Sequence, residues 1–349
     1  MKSRFIVVGS MLLAAISVIL YQEYINKDEV ISLNGVTMGI INYNVKYVGK
    51  SMYPCNANMY PCNHKIDSVL EVFNESLSTY IPNSEISTLN TTGSLRYPSI
   101  LFEDVMTTSL VVWEQTEGTF DPTIGPIVNK WGFGPDKTIV SVDSAEINDL
   151  LDQVGFEKIN KRNKSYHMDT SMYLDFSAIA KGYAVDLVAQ FLENNAVYNY
   201  MVEIGGEVRT RGNSLNHTPW RIGIENPLVE QDEQKLFAVV NMNTLSMATS
   251  GNYRNYYEKE GRLIAHTIDP RTGFSTDHSL LSATVFTKKC TEADAYATAC
   301  MVLGVQESIK LSKKANFDIF LIFTNAQGAI ETYVSSGMKD KISEINKGS

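Results

Sequence analysis

Asp294 and Thr298 stand four residues apart in CTEADAYATACMVLG, residues 290 to 304, a stretch that reads as a helix. One helical turn apart, a carboxylate and a hydroxyl share a face and can present two hard oxygens to Mg²⁺. Phosphate oxygens, waters and a backbone carbonyl would complete the octahedron. An aspartate near a helix amino terminus is also favourable with the macrodipole alone, so the pair keeps a purely structural reading. His266 ends an apolar approach to the turn Asp269-Pro270-Arg271-Thr272-Gly273. Beside an acid and an arginine, such a histidine can touch a ligand and exchange a proton near neutral pH, or simply be a satisfied structural residue. Lys181 lies in LDFSAIAKGYAVD, residues 174 to 186, where small residues lead into a helical stripe. A strand, a tight small turn and a helix aim backbone amides at an anion; the lysine is then its local cation, or else a solvated charge at a helix start. Neither the Walker spacing nor G-x-G-x-x-G is present.

The elements that must position these residues follow from periodicity. Val36 to Val48 alternates and reads as a strand, with Thr37-Met38-Gly39 either bending toward a site or giving Met38 to the core. Lys65 to Ser78 has helical spacing and runs into Ser78-Thr79-Tyr80 and Ser84-Glu85-Ile86, read as a helix end and a polar loop. A second helix covers 101 to 117 and delivers the chain to GTFDPTIGPIVNKWGFGP, residues 118 to 135. That loop carries Phe120, Trp131 and Phe133, so it packs either on the core or against a flat ligand. A short helix over 142–153, a hairpin over 165–175 and a strand ending in Asp175 follow, then the helix after Lys181 and a hairpin around Gly205-Gly206. Residues 248 to 273 read as a strand, a charged hairpin tip from Lys259 to Arg262, a second strand and a turn.

Composition bounds the class. With 349 residues, 44% apolar and 20% charged, the chain suits a globular protein with a substantial core. A net charge of −9, with no sustained Lys/Arg stripe, argues against nucleic acid as partner. Lys2 and Arg4 precede an apolar run from Phe5 to Leu20, which reads as a cleaved signal peptide or an uncleaved membrane anchor over residues 1–24. Either places the rest of the chain outside the cytoplasm. In that compartment Cys55 and Cys62, in the doublet YPCNANMYPCN, suggest a loop disulfide, with free thiols or a weak metal pair as alternatives. Cys290 and Cys300 read as small core hydrophobes.

Taken together, TMG at 37–39, STY and SEIS within 78–87, FDPTIGPIVNKWGFGP, LDFSAIAKGYAVD, EIGGEVRTRG, ATSGNYRNYY, HTIDPRTG and ADAYATA resemble the ApbE family in its order, from about Gly35 to about Gly304. The resemblance implies exported flavin transferases that attach FMN from FAD to a Thr or Ser hydroxyl of a partner protein. It implies an α+β fold, a mixed and largely antiparallel sheet with packed helices, in one two-lobed catalytic unit over 30–340 with FAD in the cleft. It further implies that Met38, Tyr80, Asp121, Pro122, Thr123, Asp175, Lys181 and His266 line the FAD site. The magnesium ligands fall on the carbonyl of Ala178, the carboxylate of Asp294 and the hydroxyl of Thr298, and His266 is the candidate base. Glu207 stands where an Asp is common after the paired glycines, and Asn252 where an acid often follows Ser-Gly. The acceptor would be an exported or membrane-bound flavoprotein such as a redox-complex subunit. Two other readings use the same site: an FAD pyrophosphatase giving FMN and AMP, and an exported FAD-binding protein without turnover.

Overall fold

The computed structural model describes residues 13, 15–18, 21–22, 27–50, 62–133, 144–228, 235–252, 256–259, 262–265 and 267–345. Most of the 1–24 segment, Cys55 and His266 lie outside the described residues. No helix among those described is long and apolar enough to cross a membrane.

In chain order the strands are β1 (Asp28–Thr37), β2 (Ile41–Lys50), β3 (Ser94–Arg96), β4 (Asn160–Arg162), β5 (Ser165–His167), β6 (Tyr200–Ile204), β7 (Glu207–Arg211) and β8 (Trp220–Glu225). They continue as β9 (Leu236–Met242), β10 (Leu245–Gly251), β11 (Tyr256–Lys259), β12 (Arg262–Ala265), β13 (Leu280–Thr287), β14 (Asp318–Thr324), β15 (Ile330–Val334) and β16 (Ile342–Ile345). The helices are α1 (Cys62–Leu77), α2 (Glu85–Thr92), α3 (Ile100–Gln115), α4 (Gly125–Lys130), α5 (Ser144–Leu151), α6 (Ala180–Asn194) and α7 (Cys290–Ala315).

One eight-stranded sheet, ordered β1-β2-β6-β7-β10-β13-β14-β15, forms the frame, and each of its described pairings is antiparallel. Side chains alternate across it. Tyr200, Val202, Ile204, Ala283, Val285, Ile319 and Leu321 join the core that contains residues of α1, α3, α6 and α7. Met201, Phe286, Phe320 and Ile322 face the other way, onto Trp220, Ile224, Phe237 and Val240 of the three-stranded sheet β16-β9-β8. A strand covered on both faces must be apolar at both parities, which is why DIFLIFT carries no period-two signal. Each fully buried side chain of this kind contributes about 1.5–3 kcal/mol.

Four local expectations change. Residues 36–48 are the facing ends of a hairpin, turned at Met38 (φ 48°) and Gly39 (φ 81°), with Thr37 paired to Ile41. Ser84-Glu85-Ile86 opens a helix, because the Ser84 hydroxyl accepts from the Ser87 N–H as an N-cap. The hairpin expected over 165–175 is instead β4–β5, turned at Asn163-Lys164. The segment before Asp175 joins no sheet among the described residues: the Asn90 side chain takes both backbone groups of Leu174, and the Asp175 N–H donates to the Pro122 carbonyl. The glycine-proline loop settles on the core, with Phe120 and Trp131 buried and the Trp131 indole N–H donating to the Gly273 carbonyl. Cys290 and Cys300 are free and buried, and burial pushes the Cys290 thiol well above its ordinary range.

Candidate active site

The amino-terminal end of α6 meets the first turns of α7. Gly182 makes this approach possible: a Cβ there would lie 2.3 Å from the Cys290 carbonyl oxygen and 2.8 Å from the Asp294 Cβ. Its N–H donates to Asp294 Oδ2 at 2.9 Å, fixing that carboxylate, which is almost fully buried. The other oxygen, Oδ1, is 3.6 Å from Lys181 Nζ, and Lys181 donates to Glu207 Oε1 at 2.6 Å. Burial works against the ammonium, but the Asp294 and Glu207 carboxylates outweigh it and hold Lys181 above the usual lysine value. Glu207 shifts upward, chiefly from its own burial, with Lys181 opposing. Among the described residues its buried Oε2 has no hydrogen-bond partner. Gly182→Ala is expected to push the two helices apart, costing about 1–3 kcal/mol as overpacking does and lowering the melting temperature in thermal unfolding.

Thr298 is one turn beyond Asp294 on α7 and only partly buried. Ala178 is also partly buried, in the turn before α6, where Ile179 and Ala180 both donate to the Phe176 carbonyl. What places this part of α7 is Asp186 on α6. Lys289, at the N-cap position of α7, makes no side-chain cap. Asp186 supplies it from the neighbouring helix, accepting from Cys290 N (3.1 Å), Thr291 N (2.9 Å) and Thr291 Oγ1 (2.6 Å). Arg209 on β7 completes the arrangement, its Nη1 donating to Asp186 Oδ1 at 2.7 Å. The far end of the straight part of α7 is set at Gly304 (φ 72°), where the His278 ring packs and its Nε2 lies 2.8 Å from the Met301 carbonyl oxygen.

The other residues singled out in the sequence surround this pair unequally. The Met38 turn is near, since a Cβ on Gly205 would touch both Ile41, just past the turn, and the Lys181 stem. Asp175 points its Oδ1 at the Ser177 N–H and hydroxyl, shaping the turn that holds Ala178. Asp121 is turned inward: Thr123 N and Oγ1 donate to its Oδ1, and Trp113 Nε1 and Phe156 N to its Oδ2. Burial nevertheless raises its carboxyl above the ordinary aspartate value, against those four donors. Thr123 is fully buried and also accepts from Gly155 N. Tyr80 is 78% exposed at the end of α1.

The ApbE family model matches residues 38–321, well over half of the chain. The chain belongs to the ApbE family. Its relatives include an FAD:protein FMN transferase of Haemophilus influenzae, 37% identical over 330 residues that cover 92% of this chain and 94% of that one. One of Vibrio cholerae is 36% identical, covering 95% of this chain and 99% of its own. Among solved structures, the flavin transferase ApbE from Vibrio cholerae superposes with a TM-score of 0.78 at 33% identity, covering 90% of this chain and all of that one. The flavinyl transferase ApbE of Pseudomonas stutzeri in its apo form gives 0.79 at 32% identity, covering 90% and 97%.

Within this ApbE fold, two residues gain roles that sequence reasoning did not assign. Glu207 is the buried ion partner of Lys181, and Asp186 is the cap of the helix bearing Asp294 and Thr298. The signal for Asp186 was present at the end of LDFSAIAKGYAVD, but the helix end it caps lies more than a hundred positions on. Among the described residues no group of three His, Cys, Asp or Glu side chains could hold a metal. Any cation at Asp294 would therefore draw on hydroxyl, carbonyl and ligand oxygens.

Proposed function

We propose that this protein transfers FMN from FAD to a Thr or Ser hydroxyl of an acceptor protein through a phosphoester bond, releasing AMP, with magnesium required. The observation carrying this reading is the convergence of Asp294, Lys181 and the Gly182 amide where α6 meets α7, in a chain alike over nearly its whole length to proteins named for that activity. The donor set suits a hard dication: the Asp294 carboxylate, the Thr298 hydroxyl and the Ala178 carbonyl, with the unpartnered Glu207 Oε2 in the same buried cluster. When bound there, magnesium neutralises charge on the pyrophosphate oxygens.

The chain's own residues do the rest. Lys181, kept protonated by its two carboxylates, holds the phosphate charge that grows as AMP departs. Met38, Tyr80, Pro122, Thr123, Asp121 and Asp175 are the proposed surroundings of FAD, some by contact and the buried ones by shaping the wall. His266 is the proposed base: it takes the hydroxyl proton as the acceptor oxygen bonds to the FMN phosphorus and the P–O–P bridge breaks, a contribution of about 10²–10⁴ in rate. No covalent enzyme intermediate is needed, because phosphoryl transfer depends mainly on positioning and electrostatics. We place the activity outside the cytoplasm, with the amino-terminal segment as the route of export or membrane attachment and an exported or membrane-bound flavoprotein as acceptor.

The test is incubation of the protein with FAD, Mg²⁺ and an exported acceptor, read by intact mass and in-gel flavin fluorescence. A gain of one FMN on the acceptor, abolished by EDTA, is expected. AMP release without acceptor gain would instead establish the pyrophosphatase reading, and unchanged FAD would leave either the wrong acceptor or a binding protein.

A further inference from the structure

We infer that the exposed face of the small sheet β3-β5-β4, with the loop Tyr97-Pro98-Ser99-Ile100 beside it, is a contact surface for a membrane rich in anionic lipid headgroups. The register of the three strands carries the argument. Arg96 on β3 and Arg162 on β4 are both paired with Ser165 on the central strand. Residues opposite one another share a face, so the two guanidinium groups flank Ser165 on the same side, their backbones about 10 Å apart across two strand spacings. The adjacent row faces the opposite way: Leu95 and Tyr166 are buried in the core, which fixes the arginines on the outside. Lys164 adds a third cation at the β4–β5 turn, and its carbonyl accepts from the Tyr97 N–H at 2.8 Å.

These cations lack counter-ions among the described residues. Lys161, one residue away, pairs with Glu103. Arg96, Arg162 and Lys164 have no ion pair among the described residues, in a chain whose net charge is −9. Together with His167 they line an open depression of ≈ 460 Å³. Like charges held across a sheet without counter-ions cost stability, so an external anion is the natural complement.

The neighbouring loop decides between kinds of anion. Tyr97 adopts φ 54°, a region uncommon for a bulky residue, and is 77% exposed, while Ile100 at the start of α3 is 73% exposed. Tyr97, an aromatic ring with a polar tip, lines the same depression as the cations and, with the exposed aliphatic Ile100 three residues on, matches the headgroup boundary, where stems and rings bury while charges meet phosphates. An acidic protein partner would satisfy the cations and leave this pair unexplained. Three basic groups near such a surface strengthen association by about a hundredfold over a zwitterionic one. The surface is independent of the transferase reading.

Hydrogen–deuterium exchange of the full chain tests it, with phosphatidylglycerol vesicles in one arm and phosphatidylcholine vesicles in another. The expected result is exchange slowed roughly fivefold or more over 96–100 and 162–165 on the anionic vesicles alone. The protection should vanish in about 1 M NaCl, where the screening length falls to roughly 3 Å, and in the Arg96→Glu/Arg162→Glu/Lys164→Glu variant. Equal exchange on the two lipids, or protection that survives both salt and charge reversal, overturns the inference. Protection by soluble polyglutamate but not by the anionic vesicles overturns it in favour of an acidic protein partner. The salt arm needs no variant and stands if the triple substitution fails to fold.

Discussion

Asp294→Asn is expected to leave the fold intact and to cut FMN transfer by about 10² to 10³, the scale for removing one preorganised charge-stabilising group. Asparagine keeps an oxygen to accept the Gly182 N–H, so the junction of α6 and α7 survives. What disappears is the carboxylate charge that faces Lys181 and forms part of the proposed magnesium set. Lys181 retains Glu207 at 2.6 Å, and its side chain is 29% exposed, so no charge is stranded in the core. Transfer rates measured beside circular dichroism and a melting curve separate the two effects. Loss of activity with an unchanged melting temperature supports the role. Full activity at ordinary magnesium concentrations would move the metal elsewhere.

Asp186→Ala should act in the opposite sense, on stability first and activity second. The carboxylate receives two backbone N–H groups, one hydroxyl and one guanidinium hydrogen bond. Removing it leaves Cys290 N and Thr291 N without their acceptor in a buried place, and Arg209 with Glu193 as its remaining carboxylate among the described residues. Removing one partner of a buried, hydrogen-bonded ion pair costs about 3–5 kcal/mol, the stranded donors included, so a loss in that range is expected. Urea unfolding followed by circular dichroism measures it as a lowered midpoint. Asp186→Asn, which still accepts but carries no charge, should lie between the two. A loss below about 1 kcal/mol would show that Arg209 and the helix end find other partners.

Much of this architecture could be read before the structure. The helix from Cys290, the helix after Lys181 and the Gly205-Gly206 hairpin each follow from period and turn chemistry. The meeting of Asp294 with the Lys181-Gly182 turn was not legible locally, because Asp294 and Gly182 are 112 positions apart and nothing local links them. The strands of the large sheet were harder. DIFLIFT and LLSATVFT are buried on both faces, which erases the alternation that marks a half-exposed strand. Asn90 was invisible for a different reason: a polar side chain on a short helix stands in for a missing strand by taking both backbone groups of Leu174. Pattern reasoning has no template for that substitution.

The β1–β2 hairpin has a mechanical consequence. Asp28 pairs with Lys50 at its open end, and Thr37 pairs with Ile41 at the turn that carries Met38. Tension applied through the amino terminus loads these ladder rungs one after another, in the geometry of a zip, from Asp28 inward. Ten residues of strand, about 33 Å, separate the point of pull from the Met38 turn. A protein tethered by its amino terminus would therefore lose outer rungs to a thermal tug while the last pair, Thr37 to Ile41, still holds the loop beside Lys181. In a chain held at its amino terminus the hairpin would take up strain before it reached the site.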